Sequence, residues 1–130
     1  MTTYYLDSSA AVKLVVEEAG SGELRRWIAA EDPDFVSSDL LKVEMLRATR
    51  RHSPEAIAAA REVLHAVTLL PLSADLCHDA SIIDPAVLRS LDALHLASAL
   101  SIGDDLTAVI TYDEGLAQGC RAYGLAVVAP

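Results

Sequence analysis

Short apolar runs alternate along this chain with stretches of helical spacing, and that alternation restricts the fold more than any other feature of the sequence. Tyr4 to Leu6, Asp34 to Val36, Leu69 to Leu72, Thr107 to Tyr112 and Leu125 to Ala129 have the length of strands, the second of them weakly apolar. Between them, Ala10 to Glu18, Ser21 to Ala30, Leu40 to His52, Pro54 to Val67, Ser73 to Ile83, Leu88 to Ile102 and Asp113 to Tyr123 are expected as helices. Ser8 or Ser9 caps the first, Ser37-Ser38-Asp39 precedes the third, Pro54 opens the fourth, Asp84-Pro85 breaks the chain before the sixth, and Gly124 ends the last. A strand that is apolar on both faces must be covered on both, and strands joined by helices run parallel. The expected fold class is therefore α/β, an α/β/α sandwich with a central parallel sheet. Without repeat, linker or low-complexity tract, residues 1–130 read as one domain.

The hydrophobic fraction of 52% and mean hydropathy of +0.31 raise the question of a membrane span. The longest uncharged stretch, Val63 to Ala74, contains a histidine and a proline and is too short to cross a bilayer. Asp7 interrupts the N-terminus before any leader-like apolar segment develops, so a cytoplasmic protein is expected. Cys77 and Cys120 form no metal-binding pair and are expected as two buried free thiols. A net charge of −9 argues against binding nucleic acid through a broadly positive surface. Residues 1–53 carry seven Lys/Arg against nine Asp/Glu, and residues 54–130 three against ten, so positive charge is concentrated in the first half, notably at Lys42, Arg47, Arg50 and Arg51.

Ligands of open parallel sheets bind beyond the carboxyl ends of the strands. Asp7 follows Tyr4-Tyr5-Leu6 and Asp113 follows Ala108-Val109-Ile110-Thr111-Tyr112, which puts both at that edge. Glu44 and Asp92 interrupt apolar helical stretches, where an unpaired carboxylate is costly. Taken singly, Asp7 and Asp113 read equally well as helix caps, and Glu44 as a partner of Arg47 and Arg51 on its own face. Converging, the four would need a cation, because two charges about 4 Å apart repel by roughly 4 kcal/mol at an effective dielectric near 20. All-oxygen ligation selects Mg²⁺ or Mn²⁺, and the chemistry it suits is metal-assisted phosphodiester hydrolysis.

Three other acid-based sites do not match. A haloacid-dehalogenase phosphohydrolase needs Asp-x-Asp where this chain has Asp7-Ser8-Ser9, and a metal-dependent adhesion site needs serine where it has Ala11. A response-regulator receiver needs a late lysine, and none follows Lys42.

In YLDSSAAVKLVVEE, VEMLRA, LRSLDALHLASAL and VITYDEGLAQGCRAYGLAVVAP, nearly the whole chain resembles PIN-domain proteins, more narrowly the VapC-type toxins of bacterial toxin-antitoxin pairs. The resemblance implies a Mg²⁺- or Mn²⁺-dependent endoribonuclease with Asp7, Glu44, Asp92 and Asp113 as its catalytic, metal-holding acids, and products with 5′-phosphate and 3′-hydroxyl ends. It assigns Ser9 and Thr111 a supporting role in holding ligands or water. It also implies a VapB-like antitoxin that blocks the pocket, a homodimer, and a larger toxin-antitoxin complex. Arg47 and Arg51 are the candidates to grip RNA phosphates. His95 is expected as a packed or hydrogen-bonded histidine, and Trp27 as core; Glu114 and Asp104-Asp105 read either as neighbours of the site or as capping and solvated, and of these Glu114 alone adjoins a proposed ligand. Two other functions fit the same residues, a non-catalytic module whose acidic pocket receives basic side chains and a DNA-directed nuclease.

Overall fold

The computed structural model describes residues 2–84, 86 and 88–130. Among them, five strands, β1 (Thr3–Leu6), β2 (Asp34–Ser38), β3 (Thr68–Leu70), β4 (Leu106–Ile110) and β5 (Val127–Val128), form one sheet in the order β3-β2-β1-β4-β5. Every pairing is parallel. Seven helices cover it: α1 (Ser8–Lys13), α2 (Ser21–Glu31), α3 (Asp39–Thr49), α4 (Pro54–Ala66), α5 (Ala74–Ser81), α6 (Ser90–Ile102) and α7 (Glu114–Ala122).

The period of two along β1 divides the core. Tyr4 and Leu6 face the layer built from α1 to α4, where they meet Leu24, Leu41, Met45 and Leu64. Tyr5 faces the opposite layer, with Leu76, Leu96 and Leu116 from α5, α6 and α7. In β4 the same alternation sends Ala108 and Ile110 to the first layer and Val109 to the second. Trp27 packs edge-on against Tyr4 at 4.9 Å, partly buried at the margin of the core. The chain builds outward from β1 to β2 and β3, then returns to add β4 on the other side. The reversal leaves a crevice between the carboxyl ends of β1 and β4, the place where such sheets bind ligands.

Several boundaries differ from the sequence reading for local reasons. Helix α1 starts at Ser8 and stops at Lys13 rather than running from Ala10 to Glu18. The β-branched pair Val15-Val16 follows, and the Lys13 ammonium folds the chain back by donating to the Ala19 carbonyl at 2.7 Å. Of the three caps the sequence offers, Asp7, Ser8 and Ser9, the structure uses Asp7, whose side chain accepts from the Ser8 N–H. Strand β3 ends before Pro71, which has no N–H for a ladder. Strand β2 runs on through the buried Ser37 and Ser38. Strand β4 ends at Ile110, two residues early, because the Tyr112 N–H bonds the Ser9 hydroxyl. The break expected at Asp84-Pro85 lies partly outside the described residues. Cys120 is buried but Cys77 is exposed, since Leu76 and Ala80 take the inner face of α5. No helix among the described residues is long and apolar enough to cross a membrane.

Leu41 is fully buried on α3, the helix that also carries Glu44. Leu41→Ala is expected to cost about 2–5 kcal/mol of stability, read as a lower denaturant midpoint without a change in slope.

Candidate metal centre

Asp7 is the first residue past β1. Its N–H still donates to the Ile110 carbonyl at 3.1 Å, so the backbone is fixed by β4 before the side chain begins. The carboxylate is 4% exposed and surrounded by donors. Oδ1 accepts from the Ser8 N–H at 2.7 Å, and Oδ2 accepts from the hydroxyls of Ser9 and Thr111, each at 2.7 Å. Thr111 in turn accepts the Asp113 N–H at 3.1 Å. Ser9 and Thr111 thus join the ends of β1, β4 and α7 around one acid. Asp113 caps α7, its Oδ1 taking the Leu116 N–H at 3.0 Å, while it lines the same crevice.

The helices supply the other two acids. Glu44, midway along α3, is a quarter exposed, and its Oε1 lies 2.6 Å from Nε2 of His95. His95 is buried in α6, with Asp92 one turn before it on the same face. Facing a carboxylate, Nε2 carries its proton; Nδ1 lies 2.7 Å from the Tyr5 hydroxyl. The same Nε2 stands 3.6 Å from Oδ1 of Asp7. All four acids line one open cavity of about 420 Å³, together with Ser9, Lys13 and Tyr112.

Burial, followed by the charges of Asp113, Asp7 and Glu44, raises the Asp92 pKa above the usual aspartate value, against a smaller opposing effect of His95. Burial works against a charged His95, but the hydrogen bond to Glu44 and the charges of Asp7, Glu44 and Asp92 outweigh it and raise the imidazole pKa. A site that draws protons to its own side chains is one that lacks positive charge. Atoms of Asp7, Glu44 and His95 lie within 4.8 Å of one another, a spacing that could hold an ion. The donor set, carboxylates and hydroxyls, fits a hard divalent cation, with the imidazole of His95 bonded to one of those carboxylates.

The structure therefore brings Asp7, Glu44, Asp92 and Asp113 together, with Ser9 and Thr111 beside Asp7. Arg47 and Arg51 are exposed and do not line the cavity, and Glu114 is exposed in the first turn of α7. Asp104 and Asp105 form a 3₁₀ turn before β4, at the opposite edge of the sheet. Sequence reasoning passed over Lys13, which among the described residues is the one lysine or arginine that lines the cavity. Its spacing of four residues from Ser9 on α1 was the available signal. Tyr5 was hidden in its apolar run.

The PIN-domain family model matches residues 4–121. Ribonuclease VapC47 of Mycobacterium tuberculosis is 41% identical over 130 residues, an alignment covering 97% of this chain and 96% of that protein. The crystal structure of Mycobacterium tuberculosis VapC20, described as a Sarcin-Ricin loop cleaving toxin, superposes with a TM-score of 0.75 at 23% identity, covering 98% and 99% of the two chains. A chain from a Klebsiella pneumoniae toxin-antitoxin complex superposes with a TM-score of 0.74 at 17% identity, covering 98% and 97%. At those identities the two structures establish a shared fold.

The crowding has a measurable sign. A carboxyl whose folded pKa lies above its unfolded value contributes stability at pH below the unfolded value, and that contribution is lost as pH rises through the folded one. Asp92→Asn removes the loss. In EDTA the variant should melt higher than the parent at pH 7, with the difference shrinking towards pH 4, as followed by circular dichroism.

Proposed function

The chain belongs to the PIN-domain family of VapC ribonucleases, and on that footing we propose that it is the toxin of a toxin-antitoxin pair. In this reading it hydrolyses RNA phosphodiester bonds in the cytoplasm, with Mg²⁺ or Mn²⁺ held by Asp7, Asp92 and Asp113, while Glu44 holds a second ion or orients the attacking water. The observation that carries it is the convergence of four acids from two strand ends and two helices on one open cavity at the switch point of the sheet. When bound, a hard divalent ion acidifies water and offsets the charge that develops on phosphate.

The side chains divide the remaining work. Ser9 and Thr111 hold Oδ2 of Asp7, which fixes the direction of Oδ1. Lys13 donates to Ala19, stands 3.4 Å from Glu18 and lies 4.7 Å from the Tyr112 ring centre. Its long stem lets the ammonium exchange the Glu18 contact for a phosphate oxygen. Arg47 on α3 and Arg51 in the turn after it, both exposed, continue a basic track for the RNA backbone outside the cavity. A VapB-like antitoxin inhibits by placing a basic side chain among the same acids; the Klebsiella pneumoniae neighbour comes from a toxin-antitoxin complex. Homodimerisation and a larger complex with that partner complete the reading. Val43 and Leu91, each more than half exposed and next to Glu44 and Asp92 in sequence, offer apolar contact beside the cavity.

The test is to purify the chain alone and incubate it with structured RNA and matched DNA. Cleavage of RNA is expected with Mg²⁺ or Mn²⁺, stopped by EDTA, leaving 5′-phosphate and 3′-hydroxyl ends; 2′,3′-cyclic phosphate products would overturn hydrolysis by external water. Asp92→Asn should reduce cleavage to background while the chain stays folded. Lys13→Ala should raise KM for RNA about 10-fold or more, with a smaller effect on kcat, as expected from loss of one charge-assisted phosphate contact. Steady-state kinetics on a single-site oligonucleotide measures the split.

A further inference from the structure

Beneath the acids lies a polar chain that the reading above does not use. Ser38, the last residue of β2, has its hydroxyl 3.3 Å from the Tyr5 hydroxyl; the latter lies 2.7 Å from Nδ1 of His95, and Nε2 lies 2.6 Å from Glu44. Ser38, Tyr5 and His95 are each at most 1% exposed. The tyrosine ring also stands edge-on to the imidazole, with centroids 5.7 Å apart and planes at 75°. Burial pushes the Tyr5 hydroxyl up to about 12, so it keeps its proton.

Polar groups in a core are tolerated when bonded, but apolar residues of similar volume would fill the same space without needing partners. What distinguishes this chain is where it ends. Its last member is neither a backbone group nor water but the Glu44 carboxylate, which reaches the cavity on a flexible stem. Both ring nitrogens of His95 are engaged, from opposite sides, so the imidazole can neither flip nor swing without breaking a bond. Tyr5 sits on β1 two residues before Asp7, the first residue past that strand, which fixes the ring relative to the first acid.

We propose that His95, backed by Tyr5, is a positioning residue for Glu44: its Nε2–H holds that carboxylate beside Asp7 and thereby sets the affinity of the acidic site for its ion. The inference rests on the metal-dependent reading given above. Outer contacts that orient ligating groups commonly contribute 10–100-fold to metal affinity, and the geometry assigns that role to these two residues.

The experiment titrates Mn²⁺ into the full chain by calorimetry, with RNA cleavage followed in parallel. His95→Leu should weaken Mn²⁺ binding about 10–100-fold. His95→Gln, which keeps an N–H within reach of Glu44, should restore most of it. Tyr5→Phe keeps the packed ring, deletes only the hydroxyl and should give a smaller loss of the same sign, so it decides the matter if His95→Leu does not fold. In a Glu44→Ala background, where Asp7, Asp92 and Asp113 still hold the ion, neither substitution should weaken binding further. Unchanged Mn²⁺ affinity in Tyr5→Phe and in a folded His95→Leu, or in Tyr5→Phe alone where His95→Leu does not fold, or equal losses with and without Glu44, overturns the proposal. If Asp92→Asn abolishes binding while the His95 and Tyr5 variants bind normally, this inference fails and the metal-dependent reading stands; absence of saturable binding by the parent chain overturns both.

Discussion

The Asp7 carboxylate is the joint on which this molecule closes. Hydrogen bonds to a charged group contribute about 1.5–3 kcal/mol each, and Asp7 receives them from a backbone N–H and two hydroxyls whose residues lie on α1 and just past β4. Ladder bonds alone would pair β1 with β4. They would not hold a buried charge at the strand ends, and without that charge the crevice would be another apolar gap. The fold makes the opening through its strand order, and the local hydroxyls make the opening habitable for an anion.

Around that satisfied acid the other carboxylates are crowded, and the contrast is informative. Asp7 meets donors, whereas Asp92 meets other acids and resists ionisation. The chain therefore carries a local conflict in its metal-free state, of a kind that proteins retain at functional sites and compensate elsewhere. Here the compensation is the two-sided core, in which the alternation of Tyr4, Tyr5 and Leu6 commits each residue to one layer.

Much of this was legible in the sequence for reasons that can be named. Strand-end position marked Asp7 and Asp113, and interrupted apolar helices marked Glu44 and Asp92; both signals are local. What stayed hidden depends on tertiary contact or on one residue doing two jobs. Asp7 reads from the sequence as either a cap or a ligand, with Ser8 or Ser9 free to cap in its place, yet it caps α1 itself while Ser9 bonds its other oxygen. Val15 and Val16 continued an apolar pattern that the backbone abandons at Lys13. Tyr5 read as core because its burial is real, and only the position of His95, 90 residues later, makes its hydroxyl matter.

Two of the four acids, Asp7 and Asp113, begin the helices that follow their strands. Asparagine caps helices about as well as aspartate, and the two amino acids differ by a single base in their codons. At Asp113, whose carboxylate accepts the Leu116 N–H, one transition can therefore remove a charge from the crevice while leaving the helix, the sheet and the outer surface in place. Such an allele would encode a chain of unaltered shape that still occupies any partner fitted to that surface. In a cell carrying both forms, the silent copy would compete with the intact one for that partner, making the lesion visible in the behaviour of its neighbour.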